Sequence, residues 1–158
     1  MPMLRLLLGL LALFAPAAAA AAAPIEWRLL MKGGRPYLQG MPTETESDTE
    51  FWALCSRGGR IEIGVGANSM VGKGEGETVS LTLVSGSARA HLRGKSRNSV
   101  NFEMTAGTEL RTQVSRDDAL FKVLATGKPI TVSGSIKKDT WPVKGLKDKL
   151  PAFLRACR

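Results

Sequence analysis

Beyond residue 24, apolar and polar residues alternate along most of the chain with the period of two that a half-buried strand requires. Ile25, Trp27 and Leu29 alternate with Glu26 and Arg28, and Gly33-Gly34 offers a turn back into Tyr37 to Met41. Pro42 to Thr49 reads as an acidic loop. Phe51, Ala53 and Cys55 alternate with Trp52 and Leu54, and Arg57-Gly58-Gly59-Arg60 connects them to Ile61, Ile63 and Val65. Gly66 to Gly76 reads as a flexible excursion. Val79, Leu81 and Leu83 follow, then a Ser85-Gly86-Ser87 turn into Ala88 to Arg93. Val100, Phe102 and Met104 form a further alternating run. Leu110, Thr112 and Val114 form another, with Glu109, Arg111 and Gln113 on its opposite face. Ile130, Val132, Gly134 and Ile136 read as one last strand, and Trp141 to Val143 as extended chain.

Two segments change period. Ser115-Arg116-Asp117-Asp118 has the composition of a helix N-cap and acidic first turn. Leu120, Val123 and Leu124 follow at helical spacing, with Gly127 and Pro129 past the stop. Leu146, Leu150, Phe153, Leu154 and Cys157 share one face of a terminal helix, irregular near Pro151. The expected fold is mainly β: a β-sandwich or small β-barrel of about eight strands, with one internal short helix and a C-terminal helix.

The first 23 residues follow a different rule. Arg5 supplies a basic start, Leu6 to Phe14 an apolar run, and Ala15 to Ala23 a small-residue region. That order reads as a cleavable signal peptide over residues 1–23. The apolar run is shorter than the roughly 20 residues a membrane span needs, so no stable span is expected after cleavage. Residues 24–158 are then a single β-rich domain, periplasmic or secreted, of a length that supports one core.

Export changes how the cysteines and the charge are read. Cys55 and Cys157 are an even pair, which in an oxidising compartment suggests a disulfide; two buried free thiols are the alternative. The formal charge is +8, from 22 Lys and Arg against 14 Asp and Glu; the leader removes only Arg5. An exported basic protein is suited to an anionic envelope component or a periplasmic protein. Export argues against nucleic acid as a partner, as does the lack of aromatic residues interleaved with the basic ones for base stacking.

The concentrated positive charge is Arg89, His91, Arg93, Lys95 and Arg97, a run with no acid inside it. If the strand persists, Arg89, His91 and Arg93 project from one face, and such a cationic strip could hold phosphates or carboxylates; a solvated strand face is the plainer account. Candidate catalytic chemistry is sparse. His91 is the sole histidine, and no G-x-S-x-G elbow presents a serine to it. Glu44, Glu46, Asp48 and Glu50 alternate but lack EF-hand spacing. Gly72-Lys73-Gly74 fails the phosphate-loop pattern because Gly74 stands where Ser or Thr is needed. No catalytic residue, metal site or cofactor is expected.

These elements, in order, resemble a family of small exported proteins of alpha-proteobacteria. The shared features are the leader, the IEWRLL strand, a Pro-Thr-Glu acidic loop, the FWALC strand, the LTLVSG hairpin, the D-D-A-L-F helix and the terminal F-L-x-x-C. The resemblance implies export, one domain and pairing of Cys55 with Cys157; it implies no activity. The chain is also similar to periplasmic inhibitors of C-type lysozyme, small β-barrels with an early-strand cysteine and another near the C-terminus. Ser85-Gly86-Ser87-Ala88-Arg89 is similar to their Ser-Gly-x-x-Tyr loop, with Arg89 in the tyrosine's place. The expected function is a non-enzymatic binding or interaction module of the cell envelope. Lysozyme inhibition and carboxylate-dependent hydrolysis of an envelope polymer are the alternatives.

Overall fold

The alternating segments pair into one antiparallel sheet of nine strands that nearly closes into a barrel. The computed structural model describes residues 24–43, 49–66 and 69–157. The expected leader at 1–23 and the acidic positions Glu44, Glu46 and Asp48 lie outside the described residues. In chain order the strands are β1 (Ile25–Lys32), β2 (Arg35–Pro42), β3 (Phe51–Cys55), β4 (Arg60–Val65), β5 (Glu75–Ser85), β6 (Ala88–Asn98), β7 (Thr108–Ser115), β8 (Ile130–Gly134) and β9 (Ile136–Trp141). Their order across the sheet is β1-β2-β3-β4-β7-β6-β5-β8-β9.

The inner face carries Trp27, Leu38, Phe51, Ile61, Ile63, Leu81, Leu83, Leu92, Leu110 and Val132, all buried in one core. Two helices pack into the same core. In α2 (Ala119–Leu124), Asp118 is the N-cap and its carboxylate accepts from the Leu120 N–H at 2.8 Å. In α3 (Leu146–Ala156), Leu146, Leu150 and Phe153 are buried at helical spacing, and the helix runs through Pro151. The end of α3 brings Cys157 to Cys55 on β3, and the two are joined in a disulfide with Cα atoms 5.3 Å apart. Such a bond is compatible with an exported protein. Among the described residues, no helix is long and apolar enough to cross a membrane.

Three expectations need correction. The run from Ile130 to Ile136 is two strands, β8 and β9, rather than one. Gly134 adopts φ +120, and a Cβ there would meet the Ser80 carbonyl oxygen at 2.4 Å. Only glycine permits that approach, and the pairing of β8 with β9 shifts register at this point. The run Val100, Phe102, Met104 is not a strand. It forms a short helix, α1 (Phe102–Thr105), closed by Ala106 in a left-handed conformation whose N–H donates to the Phe102 carbonyl. Its apolar side chains are exposed, Met104 at 79%, so their alternation did not report a buried face. The described part of the Gly66 to Gly76 excursion is tied down. The amides of Lys73 and Glu75 donate to the Glu77 carboxylate, and the Gly74 amide donates to Ser96 Oγ at 2.8 Å. The amide bonds to Glu77, that from Lys73 foremost, hold its carboxyl below its ordinary range. Donors that a phosphate loop would offer to a ligand are thus engaged by the chain's own Glu77 carboxylate and Ser96 hydroxyl.

Candidate functional site

Strand β6 continues to Asn98, so the whole basic run lies on one strand. Arg89, His91, Arg93, Lys95 and Arg97 are all exposed, while Ala90, Leu92 and Ser96 are buried between them. The five outward side chains therefore share the outer face of the sheet. At about 3.4 Å rise per residue, their alternate positions repeat roughly every 7 Å.

Neighbouring strands extend this face. On β5, Thr78, Ser80 and Thr82 stand opposite Lys95, Arg93 and His91. Lys95 Nζ donates to Thr78 Oγ1 at 3.0 Å, and Thr82 Oγ1 is 3.0 Å from His91 Nδ1. On β7, Arg111 stands directly opposite Lys95, and Glu109 opposite Arg97. Like charges in directly opposed positions are unfavourable, by roughly 1 kcal/mol at 4 Å in water. Among the described residues, no carboxylate lies within 4.0 Å of the charged nitrogens of Arg89, Arg93, Lys95 or Arg97. The nearest concavity is an open depression of about 340 Å³ where Lys95, Arg97 and Arg111 meet Glu62 and Gln113. Arg89, His91 and Arg93 lie on the exposed strand beyond it.

Arg111 is held in place by a buried group that sequence reasoning did not single out. Its Nε donates to Glu109 Oε1 at 2.6 Å, and its guanidinium also donates to the Asn98 carbonyl at 3.0 Å. The other oxygen of Glu109 accepts the indole N–H of Trp52 at 2.9 Å. Arg111 also lies over the Trp52 ring, 5.6 Å from its centre, and Tyr37 stacks with Trp52 at 6.3 Å between ring centres. Lys32 sits over Tyr37 at 5.0 Å. Tyr37, Trp52 and Leu54 thus form a small buried cluster on the outer face, separate from the main core.

Gly64 explains how Trp52 reaches Glu109. The indole starts on β3 and must cross β4 to meet β7. Gly64 is the β4 residue opposite both Trp52 and Arg111. A Cβ there would lie 2.1 Å from the indole nitrogen, so the missing side chain is the indole's path. Glu109 is fully buried beneath this cover. Burial pushes its carboxyl above the ordinary range, against the opposing bonds from Trp52 and Arg111. Burial also raises the Tyr37 phenol to about 12, helped by the Glu109 charge and opposed by Arg111.

Glu50 is buried at the end of the barrel, where it lines a cavity of about 490 Å³ with Ile25, Asp139 and Trp141. Ser85, in the turn similar to the lysozyme-inhibitor loop, is buried and hydrogen-bonded to Thr126 and the Lys128 carbonyl. Arg89 follows it onto the open face. Among the described residues, no three His, Cys, Asp or Glu side chains converge as a metal site would require. No family model, curated protein or solved structure matches this chain.

Proposed function

We propose that the protein is an exported, non-enzymatic binding module that holds an anionic component of the cell envelope against the outer face of β5, β6 and β7. The observation that carries this reading is the row of Arg89, Arg93, Lys95 and Arg97, none of which makes an ion pair within 4.0 Å among the described residues, extended across the strand pair by Arg111. A strand face that only needed to be soluble would be better served by mixed charge. Here, instead, Lys95 and Arg111 face each other, and the buried Glu109 of the same outer face is engaged by Arg111 and Trp52 rather than by Arg97. The exposed, extended face suits a chain or surface bearing repeated phosphates or carboxylates. The Thr78, Ser80 and Thr82 hydroxyls stand alongside as neutral hydrogen-bonding partners.

The test is equilibrium binding to vesicles containing phosphatidylglycerol and, separately, to purified lipopolysaccharide. The wild type is compared with Arg89→Glu/Arg93→Glu/Arg97→Glu. The wild type is expected to bind at least one of them at low salt, to weaken as salt rises, and to lose at least tenfold in affinity in the variant. Equal binding by the variant, or no binding by the wild type to either, rejects the reading.

A further inference from the structure

Strand β1 pairs with β2 and, among the described residues, with no other strand, so its far edge is open. An edge strand presents unpaired N–H and C=O groups to whatever lies beside it. Beside β1 is a groove of about 710 Å³. Its floor includes both inward-facing Trp27 and outward-facing Glu26 and Arg28, so the groove follows the backbone edge rather than either face. Its far wall is Pro142, Lys144, Gly145 and Lys149. The wall is fixed to the strand by the Trp27 indole N–H, which donates to the Pro142 carbonyl at 3.2 Å.

The groove's charge is one-sided. Glu26 and Arg28 neutralise each other at 2.6 Å, which leaves Lys144 and Lys149. Lys149 is near enough to help hold the Glu26 carboxyl below its usual range, after the larger effect of the Arg28 hydrogen bond. Ile25, Leu29, Leu30 and Pro142 add apolar surface along the same channel. We infer that this groove receives an extended acidic peptide segment of a partner protein, which adds to the β1 edge as a strand and places carboxylates against Lys144 and Lys149. Backbone pairing supplies the docking geometry, and the two lysines select for negative charge. The site is distinct from the β6 face and does not depend on it.

The experiment uses the full chain and two synthetic probes, acetyl-Glu-Val-Glu-Val-Glu-Val-amide and its lysine-for-glutamate counterpart. Affinity is measured by isothermal titration, and the site is located by amide hydrogen exchange. The acidic peptide is expected to bind at least tenfold more tightly than the basic one and to slow exchange within Ile25 to Leu30. Lys144→Glu/Lys149→Glu is expected to abolish that preference. These lysines lie outside the core, and unchanged near-ultraviolet circular dichroism checks that the variant keeps its fold. Arg89→Glu/Arg93→Glu/Arg97→Glu is expected to bind the acidic peptide as the wild type does. Absence of binding, equal affinity for both peptides, protection confined to β6, or loss of binding in the β6 variant overturns the inference.

Discussion

Trp52 donates its indole N–H to the buried carboxylate of Glu109 at 2.9 Å, spanning two strand-to-strand steps across the bare backbone of Gly64. The contact joins residues 57 positions apart and covers the acid that holds Arg111. Trp27 makes a similar contact on the inner face, its ring 3.0 Å from where a Cβ of Gly40 would lie on the neighbouring strand. In both cases a tryptophan fills the space left by the glycine directly opposite.

Gly64→Ala is expected to push the indole aside, because nothing else occupies that space. The backbone itself accepts alanine, since Gly64 is not in the left-handed region. Overpacking and a buried carboxylate short of one donor together cost about 2–4 kcal/mol. Urea unfolding followed by tryptophan fluorescence reads the loss. An unchanged midpoint would mean that Trp52 has another resting place.

Tyr37 is the chain's only tyrosine, so phenolate absorbance reports on it alone. Ionisation in the folded protein is expected near pH 12, against about 10 when unfolded. A raised phenol contributes stability that is fully present below the unfolded value and lost as pH rises from 10 toward 12. Glu109→Gln is expected to lower the folded value, because the Glu109 charge is the second cause of the shift after burial. An identical titration in the variant would remove Glu109 from the account.

Glu109 itself predicts a slope at acid pH. Its folded value lies above the ordinary 4.5 because burial outweighs its two hydrogen bonds. Folding therefore favours its protonated form, and its contribution declines as pH rises from 4.5 through the folded value. Glu109→Gln lacks this decline, so the stability of the wild type relative to the variant is expected to fall across that window. Urea midpoints measured across the window check the sign, and a widening gap in favour of the wild type contradicts it.

The Cys55–Cys157 bond closes a loop of 102 residues. On the chain-entropy argument such a loop contributes up to about 4.7 kcal/mol, and removing native disulfides typically costs about 2–5 kcal/mol. Cys55→Ser/Cys157→Ser is expected to lower the urea midpoint accordingly. The cost should fall mainly on the docking of α3, whose last turn the bond anchors. Equal midpoints for the oxidised wild type and the variant would contradict this.

The strands, the α2 cap, the α3 face and the alternation of the basic row were legible because each depends on residues a few positions apart. Glu109, Arg111 and Gln113 were legible too as the polar face of a strand. What period alone cannot report is which strand lies beside which. Arg111 joins the basic row only because β7 sits between β4 and β6, a pairing made over long sequence separations. Trp52 shows the same limit: it alternates with Phe51 and Ala53 as an outward residue should, yet it is buried by partners from β2 and β7. Val100, Phe102 and Met104 failed in the opposite sense, since a short exposed turn can alternate by composition alone.

The most direct test of the central claim is residue-resolved NMR of the protein titrated with lipopolysaccharide and, separately, with phosphatidylglycerol-containing nanodiscs. The chain offers competing basic residues in Lys137, Lys138, Lys144, Lys147 and Lys149, so the location of the change decides. The account predicts that shifts and broadening concentrate on Arg89, His91, Arg93, Lys95, Arg97, Arg111 and the facing Thr78 to Thr82 segment. Perturbation centred on those five lysines, or spread evenly over all basic residues, would contradict it.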